Sequence, residues 1–141
     1  MKNNQSSAIN AAFRYLSFCA RSEKELRDNL LEKEFSIEEI DAAVTRLKEL
    51  NYINDRQFAS DFVSSRSRNK PKGKKLLIME LKKKGVTIED VTIDEDELAK
   101  IAMLKKKVFK DRNQAHRFLY SRGFSTSVIE RAIKAWYNSE E

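Results

Sequence analysis

Basic residues are concentrated in the middle of the chain, where they could bind phosphates or carboxylates. Between Arg66 and Gly85 the sequence holds nine lysines and arginines against one acidic residue, Glu80. Residues 66–141 contain 19 basic and 11 acidic residues, a net charge of +8, whereas residues 1–65 contain 9 and 11, a net charge of −2. Positive charges this close repel one another unless an anion compensates them. The middle of the chain is therefore our candidate binding site.

A second basic cluster, between Lys100 and Arg112, extends this candidate site. An acidic run from Glu89 to Glu97 separates the two clusters, and this alternation predicts a polyanion, or a protein with its own charge pattern, as the partner. Single lysines usually lie on solvated helix surfaces, but so dense a cluster favours binding to phosphates or acidic side chains. The candidate partner-binding residues are Arg66, Arg68, Lys70, Lys72, Lys74, Lys75, Lys82, Lys83, Lys105 and Lys106.

Residues that could support catalysis or hold a cofactor are scarce. The only histidine, His116, and the only cysteine, Cys19, fall in different parts of the chain, too few for a nucleophilic pair or a zinc site. Three glycines cannot form a phosphate-binding loop of the nucleotide-binding kind. The acidic run at Asp94–Glu97 lacks the glycine and the spaced ligands of a calcium loop. We predict no catalytic, cofactor or metal site, and a binding protein rather than an enzyme.

The elements that must position the basic residues follow from a repeated apolar pattern. Three times, an apolar residue is followed by further apolar residues four, nine and fourteen positions later. A hydroxyl residue follows the third apolar position each time, as Ser36, Thr87 and Ser125, where it can cap the start of a helix. Each copy therefore predicts a helix, a tight turn and a capped helix. The three copies are Leu26, Leu30, Phe35, Ile40; Leu77, Leu81, Val86, Val91; and Ala115, Leu119, Phe124, Ile129.

These repeats predict an all-α protein of three tandem three-helix repeats, helix-turn-helix-like in outline, covering residues 1–54, 55–94 and 95–141. The third helix of the second repeat is predicted to be shortened. No helix carries a set of Arg, Asn and Gln suited to reading bases, so sequence-specific DNA recognition is weakly supported. Six aromatic residues lie at core spacing and are predicted to pack rather than to stack on bases. They are Phe13, Phe58, Phe62, Phe118, Phe124 and Trp136.

Several helix boundaries can be predicted from capping and stop signals. Within the first repeat the patterns predict helices over 8–20, 23–34 and 37–50, with Ser22 and Ser36 opening capping boxes. Cys19 falls on the apolar stripe of the first of these helices and is predicted to be a small core residue.

In the later repeats, Pro71 predicts that the preceding helix ends by Asn69. Gly85 and Gly123 predict two further stops, and another helix is predicted over 95–109.

No apolar run is long enough to span a bilayer, and the polar start Met1–Gln5 lacks the apolar core of a signal peptide. We therefore expect a cytoplasmic protein with no membrane partner, and a monomer.

Four stretches of the sequence have a wording typical of a known family, and they are Arg21–Leu30, Leu50–Ala59, Gly73 with Glu80–Val86, and Arg122–Phe124 with Ile129. They resemble the bacterial RecX proteins, a family that regulates the RecA recombinase. The resemblance covers nearly the whole chain. Asn51 stands where the family often has glycine, and the connection after Val91 is short.

This resemblance implies that the three repeats form an elongated, curved array. It also implies that the protein binds along the RecA filament on single-stranded DNA and restrains its ATPase, strand exchange and co-protease activities. The candidate basic residues would then face the filament or the DNA. An alternative is a helical module that binds nucleic acid directly, without a recombinase partner, and a purely structural scaffold is a third possibility.

Overall fold

The protein is all-α, as the sequence predicts. A computed structural model describes residues 4–87 and 92–138, and these residues contain eight helices and no strand. None of the eight is both long and apolar enough to cross a membrane. The helices are α1 (Asn4–Leu16), α2 (Glu23–Glu32), α3 (Ile37–Glu49), α4 (Asp55–Asn69), α5 (Lys74–Lys83), α6 (Glu95–Lys106), α7 (Arg112–Ser121) and α8 (Thr126–Asn138).

The chain divides into two compact units. The first comprises residues 1–59 and 81–88, and the second comprises residues 60–80 and 89–141. Helices α4 and α5 of the predicted second repeat therefore contribute residues to both units. The division of the chain into three repeats stays a prediction.

In the first unit, α1, α2 and α3 contact one another around one apolar core. The predicted capping boxes at the starts of α2 and α3 are confirmed: Ser22 accepts from the Glu25 amide, and Ser36 accepts from the Glu39 amide, both at 3.1 Å. These caps fix where α2 and α3 begin and direct their apolar sides inward. The core residues are Ala8, Ala12, Leu26, Leu30, Ile40, Ala43, Val44, Leu47 and Ile53.

Later segments of the chain complete the first unit at the start of α2. The fully buried Ser22 hydroxyl donates to the Lys84 carbonyl oxygen at 2.5 Å. The Asp55 carboxylate accepts from the Glu23 amide at 2.8 Å. Both bonds satisfy polar groups at a helix start that burial would otherwise leave without partners.

In the second unit, α6, α7 and α8 contact one another around a second core. Asp94 and Asp111 cap α6 and α7 through their carboxylates. The start of α5 also belongs to this unit. Gly73, directly before α5, lies against the turn after α7, and its amide donates to the Arg122 carbonyl oxygen at 2.8 Å. The core residues are Leu77, Leu98, Ala99, Ala102, Met103, Ala115, Leu119, Phe124, Val128, Ile129 and Ile133.

The repeated apolar pattern identifies core positions correctly. Of its twelve positions, eleven lie in the described residues; ten of these are buried and Phe35 is half-buried. The remaining position, Val91, and most of the predicted short helix after Thr87 lie outside the described residues. The predicted stops are also confirmed, since α4 ends at Asn69 and Gly85 and Gly123 have φ values of +78° and +84°.

Helix α1 begins four residues earlier than predicted, and helices α1 and α6 end earlier than predicted. Helix α1 ends at Leu16, where the Ser17 hydroxyl donates to the Arg14 carbonyl oxygen at 2.6 Å and competes with the next helical bond. Cys19 is therefore exposed, and its prediction as a core residue is wrong. Helix α6 ends at Lys106 because Lys107 has a φ of +72°, which leaves Val108 76% exposed instead of packed on the helix.

Candidate partner-binding surface

Two of the candidate cations, Arg66 and Lys72, bind an acid of their own unit. Arg66 Nη2 lies 2.8 Å from Glu80 Oε2, and Lys72 Nζ lies 2.5 Å from Glu80 Oε1. The Arg66 guanidinium also lies over the Phe62 ring at 5.0 Å. Burial alone would raise the pKa of Glu80, but the Lys72 hydrogen bond and the charge of Arg66 hold it below its ordinary value. Arg66 and Lys72 are thus largely compensated.

The other candidate cations are exposed. Within the described part of the chain, none of them forms an ion pair. Lys82 and Lys83 lie in the last turn of α5 and belong to the first unit, and positive charge there stabilises a helix C-terminus. The remaining exposed cations belong to the second unit, and they are Arg68, Lys70, Lys74, Lys75, Lys105 and Lys106.

Three of these lysines meet in one groove of the second unit, which we call the basic groove. This groove has a volume of about 360 Å³ and is lined by Lys70, from the loop before Pro71, and by Lys105 and Lys106, from the end of α6. Arg122, at the C-terminus of α7, adds a fourth cation that sequence reasoning missed. Its position directly before the helix-stop Gly123 is the signal that could have found it. Among the residues that the structure describes, no carboxylate lines the groove.

Lys74 and Lys75 border a second, larger groove of the same unit, which we call the apolar groove. Its volume is about 730 Å³, and Ile78, Met79 and Tyr120 are exposed in it by 38%, 49% and 68%. Exposed apolar side chains grouped beside lysines are typical of protein-binding surfaces. Sequence reasoning did not select these three residues. The signal that could have found them is the run of four apolar residues Leu76–Met79. One face of a helix cannot bury four consecutive residues, so some of them must be exposed.

Glu95, the one acid lining the apolar groove, is occupied by backbone groups. Its Oε1 atom accepts from the Lys74 amide at 3.3 Å and from the Ser125 amide at 3.2 Å. Because these amides belong to the first turns of α5 and to the start of α8, the carboxylate completes two helix starts. The lysine ammonium groups are left to face solvent.

Both grooves are suited to binding rather than to catalysis. Apart from Glu95, whose carboxylate is occupied by backbone amides, the charged groups that line them are ammonium and guanidinium groups, which attract anions. Neither groove is lined by the histidine or the cysteine of the chain. In residues 4–87 and 92–138, no cluster of three or more His, Cys, Asp or Glu side chains could hold a metal ion.

Comparison with known proteins identifies the family. The family model for the first three-helix domain of RecX matches residues 8–47, and the model for its second three-helix domain matches residues 54–92. The chain belongs to the RecX family. The resemblance found in the sequence is therefore confirmed.

Full-length relatives and a solved structure agree with the family models. The regulatory protein RecX of Chlorobium phaeobacteroides is 35% identical over 94% of this chain and 95% of the relative. That of Bacillus velezensis is 32% identical over 90% of this chain but only 54% of its own greater length. A crystal structure of RecX from Lactobacillus salivarius matches with a TM-score of 0.79 and 25% identity, over 96% of this chain and 97% of that one.

Membership of the RecX family assigns the chain a regulatory role. The relatives are named regulatory proteins. Two of the three predicted repeats correspond to three-helix domains of RecX. The third repeat stays a prediction, which the mutual contacts of α6, α7 and α8 support.

Proposed function

We propose that this protein regulates the RecA recombinase by binding along the RecA filament on single-stranded DNA. In this role it inhibits the filament's ATPase, strand exchange and co-protease activities. The observation that carries the proposal is the match, over nearly the whole chain, to proteins named regulatory protein RecX. The resemblance to the RecX family supplies RecA as the regulated partner.

The charges of the second unit support a binding role of this kind. Six exposed cations there lack an acidic partner among the described residues, so an external anion would gain their full attraction. We assign Arg68, Lys70, Lys74, Lys75, Lys105 and Lys106 to the partner surface. Arg66 and Lys72 contribute less because Glu80 already binds them, and Lys82 and Lys83 add positive charge from the end of α5.

The apolar groove supplies a surface that fits the recombinase itself. Ile78, Met79 and Tyr120 would bury apolar area against a protein, while Lys74 and Lys75 would pair with its carboxylates. Several weak contacts on one molecule strengthen each other through their effective concentration on a repetitive filament. Tight regulation then does not require any single strong contact.

The first experiment measures the DNA-dependent ATPase rate of the cognate recombinase as this protein is titrated at physiological salt. We expect inhibition at well below one protein per recombinase subunit, and extra single-stranded DNA should not relieve it. Inhibition that extra DNA abolishes would mean that the protein only sequesters DNA, and an absence of inhibition would contradict the proposal.

A charge-reversal variant tests the surface beside the apolar groove. Lys74→Glu with Lys75→Glu should raise the concentration needed for half-maximal ATPase inhibition by about tenfold, which corresponds to about 1.4 kcal/mol of lost binding. Glutamates in the first turn of a helix are favourable, and α5 has none there, so the variant should fold normally.

The matched control is Arg117→Glu with Lys134→Glu, which makes the same change of charge at exposed positions outside both grooves and outside the basic cluster of residues 100–112. Equal losses in the two variants would show that only net charge matters, and would remove the assignment of Lys74 and Lys75.

The second candidate function is a module that binds nucleic acid without a recombinase partner. It is favoured by one observation, the basic groove, which four cations and no described carboxylate line. Binding to bare single-stranded DNA at physiological salt separates the two functions. A filament regulator should bind it weakly, whereas a direct DNA-binding module should bind it tightly and with a steep salt dependence.

A further inference from the structure

We propose that the basic groove binds a backbone phosphate of single-stranded DNA, so that its ligand class is a phosphodiester. This inference rests on the proposed function in one respect, which is that the bound strand is the DNA of the recombinase filament. It assigns the DNA contact to Lys70, Lys105, Lys106 and Arg122, and it leaves the apolar groove to the recombinase.

The four cations come from three separate segments of the chain. Lys105 and Lys106 end α6, Lys70 precedes Pro71, and Arg122 caps α7. Lysines at the end of α6 alone would be explained by the helix dipole. That explanation covers neither Lys70, which lies in a loop, nor the convergence of the other cations on one concave surface of about 360 Å³.

The structure restrains three of these cations, Lys106, Arg122 and the backbone of Lys70, before any ligand arrives. Lys106 Nζ lies 5.5 Å from the centre of the Phe118 ring, and Arg122 Cζ lies 5.0 Å from it. The buried Pro71 restricts the backbone at Lys70, and the Gly73 amide binds the Arg122 carbonyl oxygen, which ties the loop to the end of α7. Less side-chain and loop entropy is then lost on binding.

Comparison with Arg66 and Lys72 shows what the basic groove lacks. Those two cations share the carboxylate of Glu80 at 2.8 and 2.5 Å. No described acid occupies the equivalent place among Lys70, Lys105, Lys106 and Arg122. The groove is a cluster of cations without its anion, and a phosphate oxygen can accept hydrogen bonds from several of them at once.

The ligand is a phosphate rather than a base because the aromatic ring of the groove is already covered. Phe118 contacts Phe109 at 5.5 Å between ring centres, in addition to the two cations. A base has no open ring face on which to stack. Contact with the backbone alone makes the binding independent of sequence, as a regulator of filaments on any DNA requires.

The test measures binding of a fluorescein-labelled oligothymidylate to the full chain by fluorescence anisotropy, without recombinase, over a salt series from about 50 mM to about 200 mM. The variant is Lys70→Gln with Lys105→Gln, and the control is Arg117→Gln with Lys134→Gln. All four positions are exposed, so the variants should fold alike. Circular dichroism verifies this.

We expect the groove variant to bind about tenfold more weakly at about 50 mM salt, with the slope of log affinity against log salt smaller by roughly 0.7, as for one lost phosphate contact on a single strand. The control should match the unmodified protein. Equal losses in both variants, or none in either, would overturn the inference. Displacement of the oligonucleotide by inorganic pyrophosphate or ADP at equal phosphate concentration would also overturn it, because the site would then hold a free phosphate compound.

The two proposals fail separately. If the unmodified protein inhibits the recombinase ATPase but the groove variant binds DNA normally, the phosphate site is wrong and the regulatory function stands. If the groove variant loses DNA binding while neither the unmodified protein nor the variant inhibits the recombinase ATPase, the phosphate site stands and the regulatory function is wrong.

Discussion

In the first unit, charged side chains bind one another, whereas in the second unit the cations of the two grooves have no acidic partner among the described residues. Glu23 pairs with both Lys48 and Arg27, and Arg27 in turn lies 2.6 Å from Asp41. In the second unit, Glu80 binds Arg66 and Lys72, and Asp96 binds Arg131 at 3.0 Å, but neither carboxylate reaches the cations of the two grooves. The remaining positive charge is left for an external partner.

This difference shows that net charge alone does not identify a binding surface. Nine cations lie between Arg66 and Gly85, yet two are bound to Glu80, and a third, Lys84, lies 3.4 Å from Glu25 of the first unit. Availability depends on which carboxylates the fold places nearby. The following predictions test the contrast between the two units, from the largest expected effect to the smallest.

The close approach of Gly73 to the turn after α7 should be the most sensitive point of the second unit. A Cβ atom at Gly73 would overlap the backbone carbonyl of Gly123, which cannot move as a side chain would. We expect Gly73→Ala to lower the free energy of unfolding by about 1–3 kcal/mol. Because this residue ties the Lys70 loop to Arg122, DNA affinity at low salt should fall as well.

Urea unfolding followed by circular dichroism gives the first quantity, and oligothymidylate anisotropy gives the second. The control is Ser60→Ala, an exposed substitution on α4 that should change stability by less than about 0.5 kcal/mol. Unchanged stability in Gly73→Ala would show that the two backbones can separate without cost.

Removing the Glu80 carboxylate should increase DNA binding, whereas removing a paired carboxylate of the first unit should not. Glu80→Gln releases Arg66 and Lys72, so we expect tighter oligothymidylate binding at low salt and a steeper salt slope by roughly 0.7. Stability should fall by about 1–2 kcal/mol because two charge-assisted hydrogen bonds are lost.

Glu23→Gln makes the same change of charge in the first unit and should lower stability without changing the salt slope. A similar gain in DNA binding from both substitutions would mean that the contrast between the units has no effect on binding.

Acid should weaken both units through these same carboxylates. The hydrogen bond from Lys48 lowers the pKa of Glu23, and for Glu80 the bond from Lys72 and the charge of Arg66 outweigh burial, so its pKa is lowered too. A carboxylate whose pKa is lowered in the folded state stabilises the fold at pH values above its ordinary pKa. This stabilisation is lost as the pH falls through the folded-state pKa. The urea concentration at the unfolding midpoint should therefore decrease as the pH is lowered below the ordinary glutamate pKa of 4.5, and it should decrease less in Glu23→Gln with Glu80→Gln.

Much of the fold could be predicted because its signals are local. Capping boxes at Ser22 and Ser36, the stop at Pro71 and the positive φ at Gly123 each act within one or two helical turns. The exposed Cys19 was mispredicted because a single hydroxyl, that of Ser17, ends α1 before the apolar stripe does.

The grooves could not be predicted because they depend on tertiary contacts. Lys70 and Lys105 were selected for their charge, but nothing in their local sequence places them together, and Arg122 joins them only through the Gly73 bond. The pairing of Glu80 with Arg66, fourteen residues earlier, likewise requires a turn whose geometry the sequence pattern does not give.

The hydrogen bond from Ser22 to Lys84 has a consequence for synthesis of the protein. A chain emerging from the ribosome presents α1, α2 and α3 first, but the buried hydroxyl at the start of α2 lacks its acceptor until sixty-two more residues have been translated. By then, residues 60–80 of the second unit have already been translated. We expect the nascent first unit to remain incompletely closed during this interval, so that the two units mature together rather than in strict succession.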